Sequence, residues 1–298
     1  MKFVDDGSLP QLPTFSEELV IECTHSKDFR PILFEWYKFV GIFCNIVACI
    51  SPESPALKKI SSVQYAVLLG SLNRCSRLML SNVRLSSTRK HGETTRLIDR
   101  SITETAVKIQ WLCHKDNTNR FALYLADGLK KDLLLKKQIS ENIEKRNDNI
   151  IVIEQRMLNS IKNCVDLSGL SEQEIIDAKK LPDFATMCDD LGFTNILYTA
   201  IQRMGSHAVH GTWSDLILNY LQHKDGNRLY PRDHDNETQD VQFIVVIHLV
   251  LDAMKSFLNY VVSDKSAIED FVATIENVDE KIREIQSCAW SSDFSIVD

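Results

Sequence analysis

Residues 98–112, IDRSITETAVKIQWL, place Ile98, Ile102, Ala106, Ile109 and Leu112 at spacings of four and three. That period lines five apolar side chains along one stripe of an α-helix. Arg100, Glu104 and Lys108 then fall on a different stripe. The same three-and-four spacing recurs through most of the chain. It predicts helices near 29–50, 56–84, 90–115, 119–146, 148–165, 171–180, 193–222 and 237–262, with a last one near 265–287. The reading is all-α, a multi-helix bundle of eight or nine helices.

The helix starts are signalled chemically. Ser54-Pro55 precedes the second helix, Asp116-Asn117-Thr118 the fourth, and Ser171-Glu-Gln-Glu174 opens the short sixth. Each offers a side-chain oxygen to backbone N–H groups that have no partner in the first turn. With 10 glycines and 7 prolines in 298 residues, the chain is poor in the turn chemistry that all-β and phosphate-loop α/β folds require. Residues 1–27, with Pro10 and Pro13, read as an irregular lead-in. Residues 28–288 read as one helical domain, with its motifs between 60 and 262, and 289–298 as a loose tail. Lys130–Asn149 is dense in charge and reads as an exposed helical arm. The polar stretch 223–238 reads as a surface loop.

The chain is 44% hydrophobic, enough for a sizeable core, and carries a net charge of −7. It has no overall basic field for coating nucleic acid, so any RNA contact must be local. None of the eight cysteines forms a Cys-x-x-Cys pair, and no zinc spacing occurs. Cys44, Cys49, Cys75 and Cys113 sit in apolar helical runs as small hydrophobes. Together with the lack of a signal peptide, this predicts a reducing cytoplasm. Pro31–Ile50 approaches membrane-spanning length. Glu35, Lys38 and Asn45 interrupt it, so it reads as a buried core helix, and no membrane partner is expected.

Two constellations can carry chemistry. On the helix after Gly92, Arg96, Arg100 and Glu104 follow at four-residue steps. Such an Arg–Glu pair is either a salt bridge or a guanidinium pre-set to meet an anion. The second is the run Arg203-Met-Gly-Ser206-His207-Ala-Val-His210-Gly211. In a helix Arg203, His207 and His210 share a face, and Ser206 stands one turn from His210. Imidazoles exchange protons near neutral pH and a guanidinium stabilises a charged phosphorane, which are the tasks of metal-independent RNA cleavage. The alternative for either histidine is a core residue linking helices. Gly205 and Gly211 interrupt this helix. A metal site on His207 and His210 with Glu104 or Asp215 is the weaker reading, because the repeated Glu-x-x-His of di-metal bundles is missing. No dinucleotide, P-loop, serine-hydrolase or zinc-protease signature occurs.

The pattern Leu191-Gly192-Phe193, Tyr198, Arg203, Ser206 and His210-Gly211, preceded by Arg100 and Glu104, resembles a bacterial family of helical proteins known as domain of unknown function 5677. The likeness runs over roughly residues 60–262 and implies an all-helical fold without an activity. A broader resemblance is to the HEPN superfamily, helical bundles that include many ribonucleases of toxin–antitoxin and phage-defence systems. Their mark is an Arg, four to six residues, then a His, which Arg203 and His210 match. The residue after the Arg is commonly polar in those nucleases and is Met204 here. That resemblance implies a homodimer joining two Arg203–His210 faces, with Arg203 on the scissile phosphate, His210 moving a proton, and His207 and Ser206 assisting. Arg96, Arg100, Glu104 and Tyr198 would line the substrate, without metal or cofactor.

Three readings follow. The first is a metal-independent endoribonuclease in stress or phage defence. The second is a non-enzymatic sensor of a defence system that binds a partner protein and uses the Arg/His residues as a buried polar network. The third is an enzyme or binder of a small anion such as a nucleotide, held by Arg96, Arg100 and Arg203.

Overall fold

The computed structural model describes residues 9–115, 119–194, 207–224 and 228–290. The chain is all-α, with one two-stranded antiparallel pair among the described residues. Its helices are α1 (Glu17–Ser26), α2 (Arg30–Val47), α3 (Ser62–Ser86), α4 (Gly92–Cys113), α5 (Asn119–Lys145), α6 (Val152–Ser168), α7 (Glu172–Asp177), α8 (Phe184–Asp190), α9 (Asp240–Val261) and α10 (Glu269–Trp290). With the shorter turns between α8 and α9, the described residues hold more helical segments than the eight or nine that periodicity predicts.

Four helices build the core. α3 runs antiparallel to α2: Asn82 reaches Tyr37, Ser76 the Gly41 carbonyl, and Tyr65 the Ile50 carbonyl. α4 returns antiparallel to α3, with Asn82 on the Thr95 carbonyl and Arg74 on Thr105. α9 lies parallel to α4, because Gln242 meets Asp99 and Gln110 meets the Leu249 carbonyl. The stripe that announced α4 is buried as expected: Ile102, Ala106, Ile109 and Leu112 are at most 1% exposed. Between them these helices bury Leu33, Phe43, Leu68, Met79, Val250 and Phe257 in one cluster, the main source of stability.

α2 is the buried helix that its interrupted apolar run suggested, with Leu33, Val40, Phe43, Cys44 and Val47 fully enclosed. α9 is the described helix long and apolar enough to cross a membrane, and 67% of its apolar window is buried among its neighbours. Ser171 and Glu174 form the expected capping box on α7, exchanging bonds of 3.2 and 2.8 Å. The charged stretch of α5 projects against α6 and α7, with a small cluster of Ile139, Ile143 and Ile161 between α5 and α6.

Several expectations are corrected. The lead-in is not wholly irregular: Ser16 accepts from Leu19 N and starts α1. The second core helix starts at Ser62 under the Ser61 cap, not after Ser54. The intervening Leu57 and Lys58 are drawn straight along the end of α9, where Leu57 pairs with Val262 and Lys58 N donates to the Val261 carbonyl. α8, capped by Asp183, was not foreseen. Of the supposed loop 223–238, part is an antiparallel pairing of β1 (Leu221–Lys224) with β2 (Arg228–Pro231). Cys49 is exposed and Cys113 only half-buried. α10 extends through Trp290, two residues into the expected tail. The cap proposed at Asp116-Asn117-Thr118 lies outside the described residues.

A Cβ added to Gly128, in the interior of α5, meets nothing within 4 Å. Gly128→Ala is therefore expected to raise stability by roughly 0.5–1 kcal/mol, read as a higher urea midpoint. A lowered midpoint would show that the backbone here requires glycine.

Candidate functional site

After α8 the chain returns to the N-terminal end of α4. The single helix expected over 193–222 is broken. Residues 207–210 are helical, but Gly211, at φ 54°, takes the left-handed conformation that ends a helix. Thr212 caps a new turn, Trp213–Asp215, its Oγ1 accepting from Asp215 N at 3.4 Å. The same Oγ1 lies 2.8 Å from Nδ1 of His207. The threonine therefore fixes the ring and turns Nε2 away from itself. His207 and His210 are both exposed, and their i, i+3 spacing sets them on one side of this turn.

A π turn, Leu216–Tyr220, follows, a wide helical turn found often at functional sites. It buries Asn219 beside Asp215, each 4% exposed. Asn219 Nδ2 donates to Asp215 Oδ1 at 2.8 Å. Asn219 Oδ1 accepts from Arg96 Nη1 at 3.1 Å and from Asn236 Nδ2 at 2.9 Å. Asn236 N donates to Glu93 Oε1 at 2.9 Å. A continuous hydrogen-bonded path thus joins His207, Thr212, Asp215, Asn219 and Arg96, and so anchors the histidine turn to α4. The charges of Asp215 and Glu93 add to partial burial in raising the Tyr220 phenol above its ordinary value.

The model of a family of unknown function, DUF5677, matches residues 65–228. The chain belongs to DUF5677. No curated protein and no solved structure matches it. The DUF5677 match is shorter than the 60–262 first expected and ends before α9. α3 from Tyr65 onward, α4 and both histidines fall inside it, whereas Asn236, which braces Asn219, falls outside.

Of the remaining residues singled out in the sequence, Arg100 Nε donates to Glu104 Oε1 at 2.9 Å, with the two side chains 25% and 33% exposed. Arg100 Nη1 is buried without a partner among the described residues. The arginine stripe therefore splits: Arg96 braces the π turn and Arg100 pairs along its own helix. Tyr198, Arg203, Gly205 and Ser206 lie outside the described residues. Among the described residues no three of His, Cys, Asp and Glu group as a metal site.

Sequence reading missed the buried polar cluster one turn along α4 from Arg96. Asp99, 1% exposed, accepts from Asn82 Nδ2 at 2.6 Å and Tyr37 Oη at 3.1 Å on one oxygen, and from Gln242 Nε2 at 2.9 Å on the other. Burial pushes its carboxyl up to about 7, against the pull of the Gln242, Tyr37 and Asn82 bonds and of the nearby Arg96 charge. Three donors aimed at two oxygens suit the carboxylate, so burial and hydrogen bonding act in opposite directions here. The signal was available: Thr95, Asp99, Ile102 and Ala106 lie on one helical stripe, so the aspartate faces the core.

Proposed function

We propose that this protein is a metal-independent endoribonuclease of HEPN-like type, acting in bacterial stress or phage defence. The observation that supports it best is the open, braced histidine turn. His207 and His210 face solvent, and Thr212 orients the first of them. A histidine kept for packing would be enclosed and paired. In the reaction one imidazole takes the proton of an RNA 2′-OH as that oxygen attacks phosphorus. The second protonates the departing 5′-oxygen, leaving a 2′,3′-cyclic phosphate. Arg203, seven residues before His210 as the HEPN spacing requires, would hold the phosphate oxygens. A homodimer would bring two such faces to one RNA. With a net charge of −7, attraction of RNA would rest on these local groups.

The second reading, a non-enzymatic module that binds a defence partner, draws on the Arg100–Glu104 pair and the Asn219 network, in which polar side chains hold elements together. One experiment separates the two. The purified chain is incubated with total RNA and with tRNA in EDTA, beside His210→Ala and Arg203→Ala. The nuclease reading expects cleavage to products with cyclic phosphate ends, reduced about 10²–10⁴-fold in each variant. No cleavage by the folded wild-type protein, or cleavage that both variants retain, sinks it. The absence of cleavage would favour the module.

A further inference from the structure

We propose that the opposite end of the bundle binds a nucleoside phosphate. There the start of α3 and the C-terminal ends of α4 and α9 enclose an open groove of about 760 Å³, within the size range of small-molecule sites. It lies one helix length, roughly 30 Å, from the Gly92 end of α4 that carries the histidine turn.

The groove's charge is one-sided. Lys58, Lys59 and Lys115 line it, and no carboxylate does among the described residues, in a chain whose net charge is −7. Helix C-termini present bare carbonyls that would repel an anion, but here they are covered. Arg120 donates to the Trp111 and His114 carbonyls, and Lys58 Nζ to the Asn259 carbonyl at 3.2 Å. Lys59 and Lys115 are exposed, and neither has an acidic partner among the described residues. Two uncommitted ammonium groups beside neutralised helix ends make an anion subsite.

A second observation is independent of charge. Gln110, only 7% exposed, lines the same groove. Its Nε2 donates to the Leu249 carbonyl at 3.2 Å, and its Oε1 accepts from no described residue. The side chain is more than nine-tenths buried and lines the groove, so its free acceptor is met there by water or by a ligand's hydrogen-bond donor. Inorganic phosphate, whose P–OH could meet that oxygen, would leave most of the volume unused. A nucleoside phosphate supplies the anion, the hydroxyl and base N–H donors, and a flat ring suited to the Tyr260 wall of the groove.

The test is calorimetric titration of the full chain with ADP, GDP, CDP and UDP, and with pyrophosphate. At least one diphosphate is expected to bind more tightly than pyrophosphate. Lys59→Glu/Lys115→Glu, which alters only exposed side chains, is expected to weaken binding about tenfold or more, with affinity falling as salt rises. His210→Ala should leave it unchanged, so the outcome is separate from that of the nuclease reading. The proposal is overturned if none of the four diphosphates binds, if the double variant binds as wild type does, or if His210→Ala abolishes binding. Pyrophosphate binding as tightly as every nucleotide would also overturn it, by marking a bare anion site.

Discussion

Gln242→Leu is expected to cost about 3 kcal/mol of stability above neutral pH and clearly less in mild acid. Leucine keeps the bulk and helix propensity of the side chain, so the loss is one of hydrogen bonds. Gln242, 1% exposed, donates to Asp99 Oδ2 at 2.9 Å and to Thr95 Oγ1 at 3.2 Å, and its own oxygen accepts from Gln239 N at 3.0 Å. The variant leaves Asp99 Oδ2 bare inside the bundle, where an unpaired ionised oxygen is costly. Protonation relieves that cost, and the pH dependence follows from it. The Asp99 carboxyl is raised in the folded chain from 3.8 to about 7. The folded state therefore keeps a proton that the unfolded chain releases. The stability this contributes is complete below about pH 4 and is lost as pH rises through about 7. Removing the Gln242 donor raises the folded value further, so the loss continues to higher pH in the variant. Urea unfolding of both proteins at about pH 5 and about pH 8 measures the difference. A penalty equal at the two values would mean that Asp99 is neutral, or ionised, throughout.

The contrast between that cluster and the helices shows what one sequence carries. α2, α3, α4 and α9 are local objects: their apolar residues recur within a few positions of one another, and the period alone identifies them. The Asp99 cluster is not local. Tyr37, Asn82, Asp99 and Gln242 come from four helices and meet only after the bundle closes. Asp99 alone carried a hint, by standing on the core stripe of α4. The break in the helix expected over 193–222 has another cause. Apolar residues continue at helical spacing past Gly211, but its left-handed backbone and the Thr212 cap restart the chain. Thr212-Trp-Ser-Asp215 had the capping spacing. α8, at seven residues, was too short for periodicity to show.

The histidines were legible as chemistry because their spacing is local. What braces them was not, since Arg96, Asn219 and Asn236 are separated by up to 140 positions. That brace makes Gly92→Ala the substitution expected to act furthest from where it is made. A Cβ at Gly92 would overlap the Glu237 carbonyl oxygen and stand 2.6 Å from its carbon and 2.9 Å from the Asn236 oxygen. These are backbone atoms, so α4 and the 236–238 segment must separate. Separation breaks the Gly92 N bond to the Asn236 carbonyl (2.8 Å) and the Asn236 N bond to Glu93 (2.9 Å). The overpacking and lost bonds together are expected to cost about 3 kcal/mol. Once Asn236 shifts, Asn219 keeps Arg96 as its remaining tie to α4, and the turn that carries His207 loses half of its anchor. Gly92→Ala is therefore expected to lower the urea midpoint, whereas Gly128→Ala, the same change in open space, raises it. On the nuclease reading it also slows RNA cleavage with both histidines intact. A midpoint equal to that of wild type would mean that the 236–238 segment gives way freely, and the brace on the histidine turn would then have to rest on Arg96 alone.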